Sequence, residues 1–255
     1  MGAAHGHRLY FHGHSPAHRL PAHCKIVALV CFVLAVVATP PGVFWPFGWY
    51  AVGLLAAIGA SRVPPMFLAR RMVVETPFVL FAVLMPFVAT GPRVDLLGVS
   101  VSEHGLQAAA VLLCKGTLGV VASLLFAATT ESRDFLAGLQ RLRMPQQLVQ
   151  IMAFMVRYLD VTTAEMQRMR VAREARCFSA RGPAAWPTVA RSGGALFIRA
   201  YERGERVHLA MLSRGYAGRL PMLSESPASG MQWSVAALLP GFAVLVSLAA
   251  WTISR

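Results

Sequence analysis

Two segments of this sequence carry the same order of side-chain types. The first is Ala172-Arg173-Glu174-Ala175-Arg176-Cys177-Phe178-Ser179-Ala180-Arg181 and the second is Ala210-Met211-Leu212-Ser213-Arg214-Gly215-Tyr216-Ala217-Gly218-Arg219. Both read Ala, two variable residues, a small residue, Arg, small, aromatic, two small residues, Arg. A planar guanidinium pairs bidentately with carboxylates and tolerates partial burial better than an ammonium. Small neighbours let a helix end enter a groove, and the aromatic adds apolar contact beside the charge. Offering such an anchor twice suits a partner with two equivalent sites. The local alternative is that Arg176 and Arg214 complement their own helix C-termini, worth about 0.3–1 kcal/mol. That accounts for one arginine, not for its duplicated context.

Other residues invite chemical readings. His5, His7, His12, His14, His18 and His23 crowd the first two dozen positions. Imidazole binds cobalt, nickel and zinc, so His5, His7, His12 and His14 are weak metal-ligand candidates in a leader without fixed geometry. Lys115 lies inside an apolar run, where an ionisable group is a functional candidate, or snorkels to the outer interface, or pairs with another subunit. Glu75 is expected to form an interfacial ion pair with Arg70 or Arg71. Cys24, Cys31, Cys114 and Cys177 form no CxxC pair and imply neither a disulfide framework nor zinc. No Walker phosphate loop, HExxH or nucleophile elbow occurs, so an enzyme, and in particular a self-contained transport ATPase, finds no support.

The elements that must position these residues follow from hydropathy. Of 255 residues 56% are hydrophobic, too many for a soluble fold of that size, and this outweighs the nucleic-acid reading that a net charge of +13 would otherwise raise. A hydrocarbon core about 30 Å thick needs about 20 apolar residues per helix. Five stretches approach that: 22–38, 43–60, 73–89, 106–129 and 232–253. Arg8, Arg19 and Lys25 precede the first, and Arg62, Arg70 and Arg71 separate the second from the third, which puts both sides in the cytoplasm. The loops at 39–42 and 90–105 then face outward. A cleaved signal peptide is the rival reading of the first stretch and leaves the later orientation unchanged.

Between the last two stretches, residues 131–231 hold fifteen of the twenty-four cations against eight acids. Leu148, Ile151, Met152, Met155, Leu159, Met166 and Met169 recur at helical spacing, and Val189, Leu196, Phe197, Ala200, Tyr201, Val207 and Leu212 do so again. Two long amphipathic helices are predicted, each ending in one arginine motif. Gly193-Gly194 and Gly204 predict a kink in the second. The expected fold is an all-α integral membrane protein with about five transmembrane helices and long amphipathic cytoplasmic helices. Its parts are a leader (1–21), a four-helix membrane region (22–130), the cytoplasmic helical region (131–231) and a last membrane helix (232–255).

With these spans and the two arginine-ended helices, the chain resembles the transmembrane T component of energy-coupling factor transporters. The basic entry Ser15-Pro16-Ala17-His18-Arg19-Leu20-Pro21-Ala22-His23-Cys24-Lys25 is similar too, and the length and His-containing leader look most like the cobalt-uptake type, the CbiQ family. In that family two coupling helices dock their motifs into two ATP-binding cassette subunits. The resemblance therefore implies that Arg176 and Arg214 dock on ATPases, flanked by Ala175, Cys177, Ser213 and Gly215. Cys177 stands where glycine is expected and Ser213 where alanine is. Also implied are two ABC ATPase subunits as partners, which bind the ATP and Mg, and no cofactor on this chain. A cobalt-type substrate-binding S subunit and a cell inner membrane location with a cytoplasmic N-terminus complete the expectation. Nickel or a vitamin remain alternative cargoes. A membrane enzyme acting on lipid or isoprenoid phosphates, or a basic anchor on anionic lipid, remain alternative functions.

Overall fold

A computed structural model describes residues 10–11, 13, 15–89, 92–96, 99–178, 182–218 and 228–253. The chain divides into two compact units, one built on Leu139–Ser224 and the other on Leu9–Gly138 with Glu225–Arg255.

In the second unit a short α1 (Pro16–Arg19) leads into α2 (Ala22–Ala38) and α3 (Trp45–Ser61). Then come α4 (Pro65–Ala69), a 3-10 turn at Met72–Glu75 and α5 (Thr76–Val88). Strands β1 (Arg93–Leu96) and β2 (Val99–Ser102) pair antiparallel, and α6 (Glu103–Thr129) and α7 (Ser132–Arg141) follow. Among the described residues the fold is all-α apart from this hairpin, which falls in the stretch 90–105 that hydropathy predicts to be an outward loop. After the helical unit, α10 (Gly230–Ile253) returns.

Pro65–Val88, Glu103–Thr129 and Gly230–Ile253 are long and apolar enough to cross a membrane. The helices α2 and α3 have 17 residues each, about 25 Å at 1.5 Å per residue. They pack on α6 and α10 around buried Phe32, Val36, Phe47, Tyr50, Leu118 and Val246. Tyr50 is fully buried, so its hydroxyl needs a partner and finds one in Thr39 Oγ1 at 2.9 Å. Where α5 meets α6, Gly105 is obligatory: a Cβ there would stand 2.8 Å from the Pro86 backbone.

Helices α2 and α6 are joined by a reciprocal pair of lysine contacts. Lys115 of α6 donates to the carbonyls of Val37 (2.8 Å) and Thr39 (2.9 Å) at the C-terminus of α2. Lys25 of α2 donates to the Thr129 carbonyl (2.8 Å) at the C-terminus of α6. In each case the terminal threonine hydroxyl bonds back to its own helix, Thr39 to the Ala35 carbonyl and Thr129 to that of Leu125. Trp251 Nε1 takes the Ala38 carbonyl at 3.0 Å. Helix ends leave carbonyls without intrahelical partners, and an ammonium there also meets the negative end of the helix dipole. The ionisable group inside the apolar run thus serves a neighbouring helix end within this chain. Glu75 also departs from expectation. It is buried at 5% exposure and accepts a hydrogen bond from the Thr117 hydroxyl, while Arg71 lies over the Phe67 ring at 3.9 Å.

Candidate functional site

The first unit is dominated by α8 (Gln146–Ala175) and α9 (Trp186–Leu212). Helix α9 is continuous through Gly193, Gly194 and Gly204, although each glycine costs roughly 1 kcal/mol relative to alanine. A Cβ at any of the three would meet open space, so these glycines mark no close approach among the described residues.

Polar bridges hold the two helices at three levels. At the start of α8, Gln150 accepts from the Tyr216 hydroxyl (2.7 Å) and donates to the Gly218 carbonyl (3.0 Å). Midway, Glu165 takes Arg199 at 2.9 Å and Arg203 at 3.4 Å. At the end of α8, Arg173 donates to Ser192 Oγ at 2.6 Å. As the contacts climb α8 they descend α9, so the helices are antiparallel and the two motifs stand at opposite ends of the pair. Thirty residues of α8 span about 45 Å, which separates Arg176 from Arg214 by roughly 35–40 Å.

Glu165 is the one acid in this clasp. The hydrogen bond from Arg199 holds its carboxyl below the ordinary carboxylate range, with the charges of Arg199, Arg203 and Arg168 adding to it and desolvation opposing. A folded-state pKa below the unfolded one contributes stability that is fully present above the unfolded pKa. That stability is lost as pH falls from the usual value near 4.5 through the depressed one. Thermal unfolding followed across that window should show the loss in the wild type and a flatter profile in Glu165→Gln. Equal slopes would mean that the clasp does not stabilise the pair.

The duplicated motif proves to be a duplicated helix termination. Phe178 N bonds the Arg173 carbonyl (3.1 Å) and Cys177 N that of Glu174 (3.0 Å). Tyr216 N bonds Met211 (3.0 Å) and Gly215 N bonds Leu212 (3.0 Å). Both are Schellman closures, with Cys177 (φ 58°) and Gly215 (φ 82°) in the left-handed position that favours glycine. The aromatic follows, half-buried, and the arginine precedes. Ala175, Arg176, Cys177, Ser213, Arg214 and Gly215 are all exposed. Neither the Arg176 nor the Arg214 guanidinium makes a hydrogen bond or ion pair among the described residues. Ser213 Oγ is engaged by its own helix, at 3.0 Å from the Leu209 carbonyl. Ser179, Ala180, Arg181 and Arg219 lie outside the described residues.

Cys177 occupies its position under strain, since a Cβ in the left-handed conformation costs about 1–2 kcal/mol. Cys177→Gly relieves this and loses part of the gain to the freer unfolded chain, for a net stabilisation of about 0.5–1 kcal/mol. Gly215→Ala shifts stability the other way by about 1 kcal/mol. Paired thermal melts check the opposite signs.

The weak metal candidates His5, His7, His12 and His14 lie outside the described residues. His18 bonds Ser15 Oγ (2.7 Å) and the Phe11 carbonyl (2.9 Å), and His23 is buried edge-on to Trp233. Among the described residues no three His, Cys, Asp or Glu side chains are placed to hold a metal ion.

The polar bridges had one legible trace in the sequence. Glu165 has Tyr158, Val161, Thr162, Arg168, Met169 and Ala172 at helical spacings of three, four and seven, which makes it an acid on a face of mostly apolar or basic neighbours. Gln150, Ser192 and Tyr216 left none.

Apolar helices of membrane-crossing length, in one chain with a charged pair of long helices, define an integral membrane protein with a large polar helical unit. Comparison with known proteins makes it a transport component. The chain belongs to the CbiQ family of cobalt transport proteins, whose profile matches residues 13–223. It is 27% identical over 169 residues to the cobalt transport protein CbiQ of Rhodobacter capsulatus, covering 66% of this chain and 68% of that one. It is 26% identical over 232 residues to the energy-coupling factor transporter transmembrane protein EcfT of Listeria innocua, covering 82% and 83%. An uncharacterised protein of Methanocaldococcus jannaschii is 31% identical over 141 residues, a match spanning 53% of this chain and about half, 52%, of that relative.

Proposed function

We propose that this chain is the coupling T subunit of an energy-coupling factor importer, in which Arg176 and Arg214 each dock on one of two ABC ATPase subunits. ATP and Mg are bound by those subunits. Closure of the ATPase pair moves the two helix ends, and the motion passes through the membrane helices to a substrate-binding S subunit. Such transmission requires docking that differs between nucleotide states. The cargo is cobalt ion, in keeping with the printed name of the Rhodobacter relative. In this reading five helices cross the cell inner membrane. The leader (1–21) and coupling region (131–231) are cytoplasmic, the four-helix part covers 22–130, and the last helix covers 232–255.

The observation that supports the reading is the pair of matched helix ends. Two exposed guanidinium groups with no partner among the described residues sit on the same backbone closure at opposite ends of an antiparallel pair. A single site needs one such end, whereas a paired motor presents two. Purification in mild detergent, with identification of co-eluting chains, tests it. ATP-binding cassette chains and a further membrane subunit should co-elute, and isolation of the chain alone from its native membrane would count against the assembly.

A further inference from the structure

The membrane-spanning unit contains a cavity that the transport reading does not use. It lies among α2, α3, α6 and α10, floored by α1, with a volume of about 440 Å³. Small residues make the room, with Gly53, Ala57, Ala60, Ala122 and Ala236 in its wall. Lys25 and Thr129 are the polar lining residues, and both are engaged. Lys25 Nζ donates to the Thr129 carbonyl, and the Thr129 hydroxyl donates to that of Leu125. The space opens to the side past exposed Ala60 and Leu238, and with an apolar wall and both polar lining residues engaged it suits hydrocarbon better than water. Adjoining it, and sharing Pro16, Leu20 and Val235, is a recess of about 470 Å³ that holds Arg19. Arg19 is exposed, and its guanidinium makes no hydrogen bond or ion pair among the described residues.

We propose that this cavity holds one acyl chain of an anionic phospholipid whose phosphate is met by Arg19 at the rim. A lipid tail gains little by leaving other tails for an apolar wall, because the bilayer interior is as apolar as the wall. Preference among lipids therefore rests on the head, and a guanidinium pairs with phosphate oxygens bidentately. Net negative charge on the lipid keeps that pairing from being offset by a cationic group beside the phosphate.

The full chain, purified in mild detergent, is examined by native mass spectrometry and then in bilayer discs of phosphatidylcholine doped with spin-labelled phosphatidylglycerol. One phospholipid adduct is expected on the wild type, with phosphatidylglycerol favoured over phosphatidylcholine about tenfold, the equivalent of one charge-assisted contact. Arg19→Gln should abolish that preference, and Ala57→Leu, which fills the wall, should remove the adduct. Equal retention of both lipids by the wild type, an undiminished preference in Arg19→Gln, or an adduct that survives Ala57→Leu overturns the proposal. Should Ala57→Leu fail to fold, Arg19→Gln decides, because it changes an exposed side chain. Neither readout depends on ATPase docking, so the two proposals fail separately.

Discussion

Reversing both helix-end charges, Arg176→Glu with Arg214→Glu, is expected to abolish uptake and the co-elution of ATP-binding chains while membrane insertion is unchanged. Truncating one partner of a hydrogen-bonded charge pair at an interface costs about 2–5 kcal/mol, and each 1.4 kcal/mol is tenfold in affinity. Reversal adds repulsion against the same acidic partner. Two anchors roughly 35–40 Å apart on one rigid pair act bivalently, so each single variant keeps one attachment and should retain partial assembly. The double variant keeps none. Both side chains are exposed and unpaired among the described residues, so the substitutions remove no direct contact from the chain's own fold, and the stability lost is confined to the helix-dipole interaction, about 0.3–1 kcal/mol or somewhat more at each end. Uptake at the wild-type level in the double variant would refute the docking role.

Lys115→Met should clearly destabilise the membrane-spanning unit, and Lys25→Met should do so to a smaller extent. Each replacement keeps the length of the stem and removes the ammonium. Lys115 serves two carbonyls at the end of α2, and Lys25 serves that of Thr129. Hydrogen bonds to charged groups contribute about 1.5–3 kcal/mol each, and because both helix ends lie where a span meets its loop, water replaces part of the lost donor and the lower end of that range applies. Losses of about 3 kcal/mol for Lys115→Met and about 1.5 kcal/mol for Lys25→Met follow. The two sites lie at opposite ends of the α2–α6 pair, about 20 Å apart, so the double variant should show the sum to within about 0.5 kcal/mol. Thermal unfolding in detergent reads both. Wild-type melting of Lys115→Met would mean that the helix end is satisfied some other way.

Much of the architecture was readable from residues alone, because hydropathy and helical period are properties each short segment carries by itself. The stretch 22–38 coincides with α2, and 106–129 differs from α6 by its first turn, which Ser102 extends by accepting from Gly105 N at 3.4 Å. The repeated motif was legible for the same reason: a helix end and its left-handed closure are local. Its strained member at Cys177 could be placed, but the conformation that makes it strained could not be seen.

What the sequence by itself determined is a chain that must sit in lipid, with two long helices ending in matched arginines. Tertiary structure alone decided that those helices run antiparallel and set their arginines far apart, that Glu165 bridges them, and that Lys115 answers a helix end 76 residues away in the chain. The physical reason is range. A residue's apolarity and helical phase act on its neighbours in sequence, whereas a carbonyl without a donor is recognised only when folding brings another helix to it.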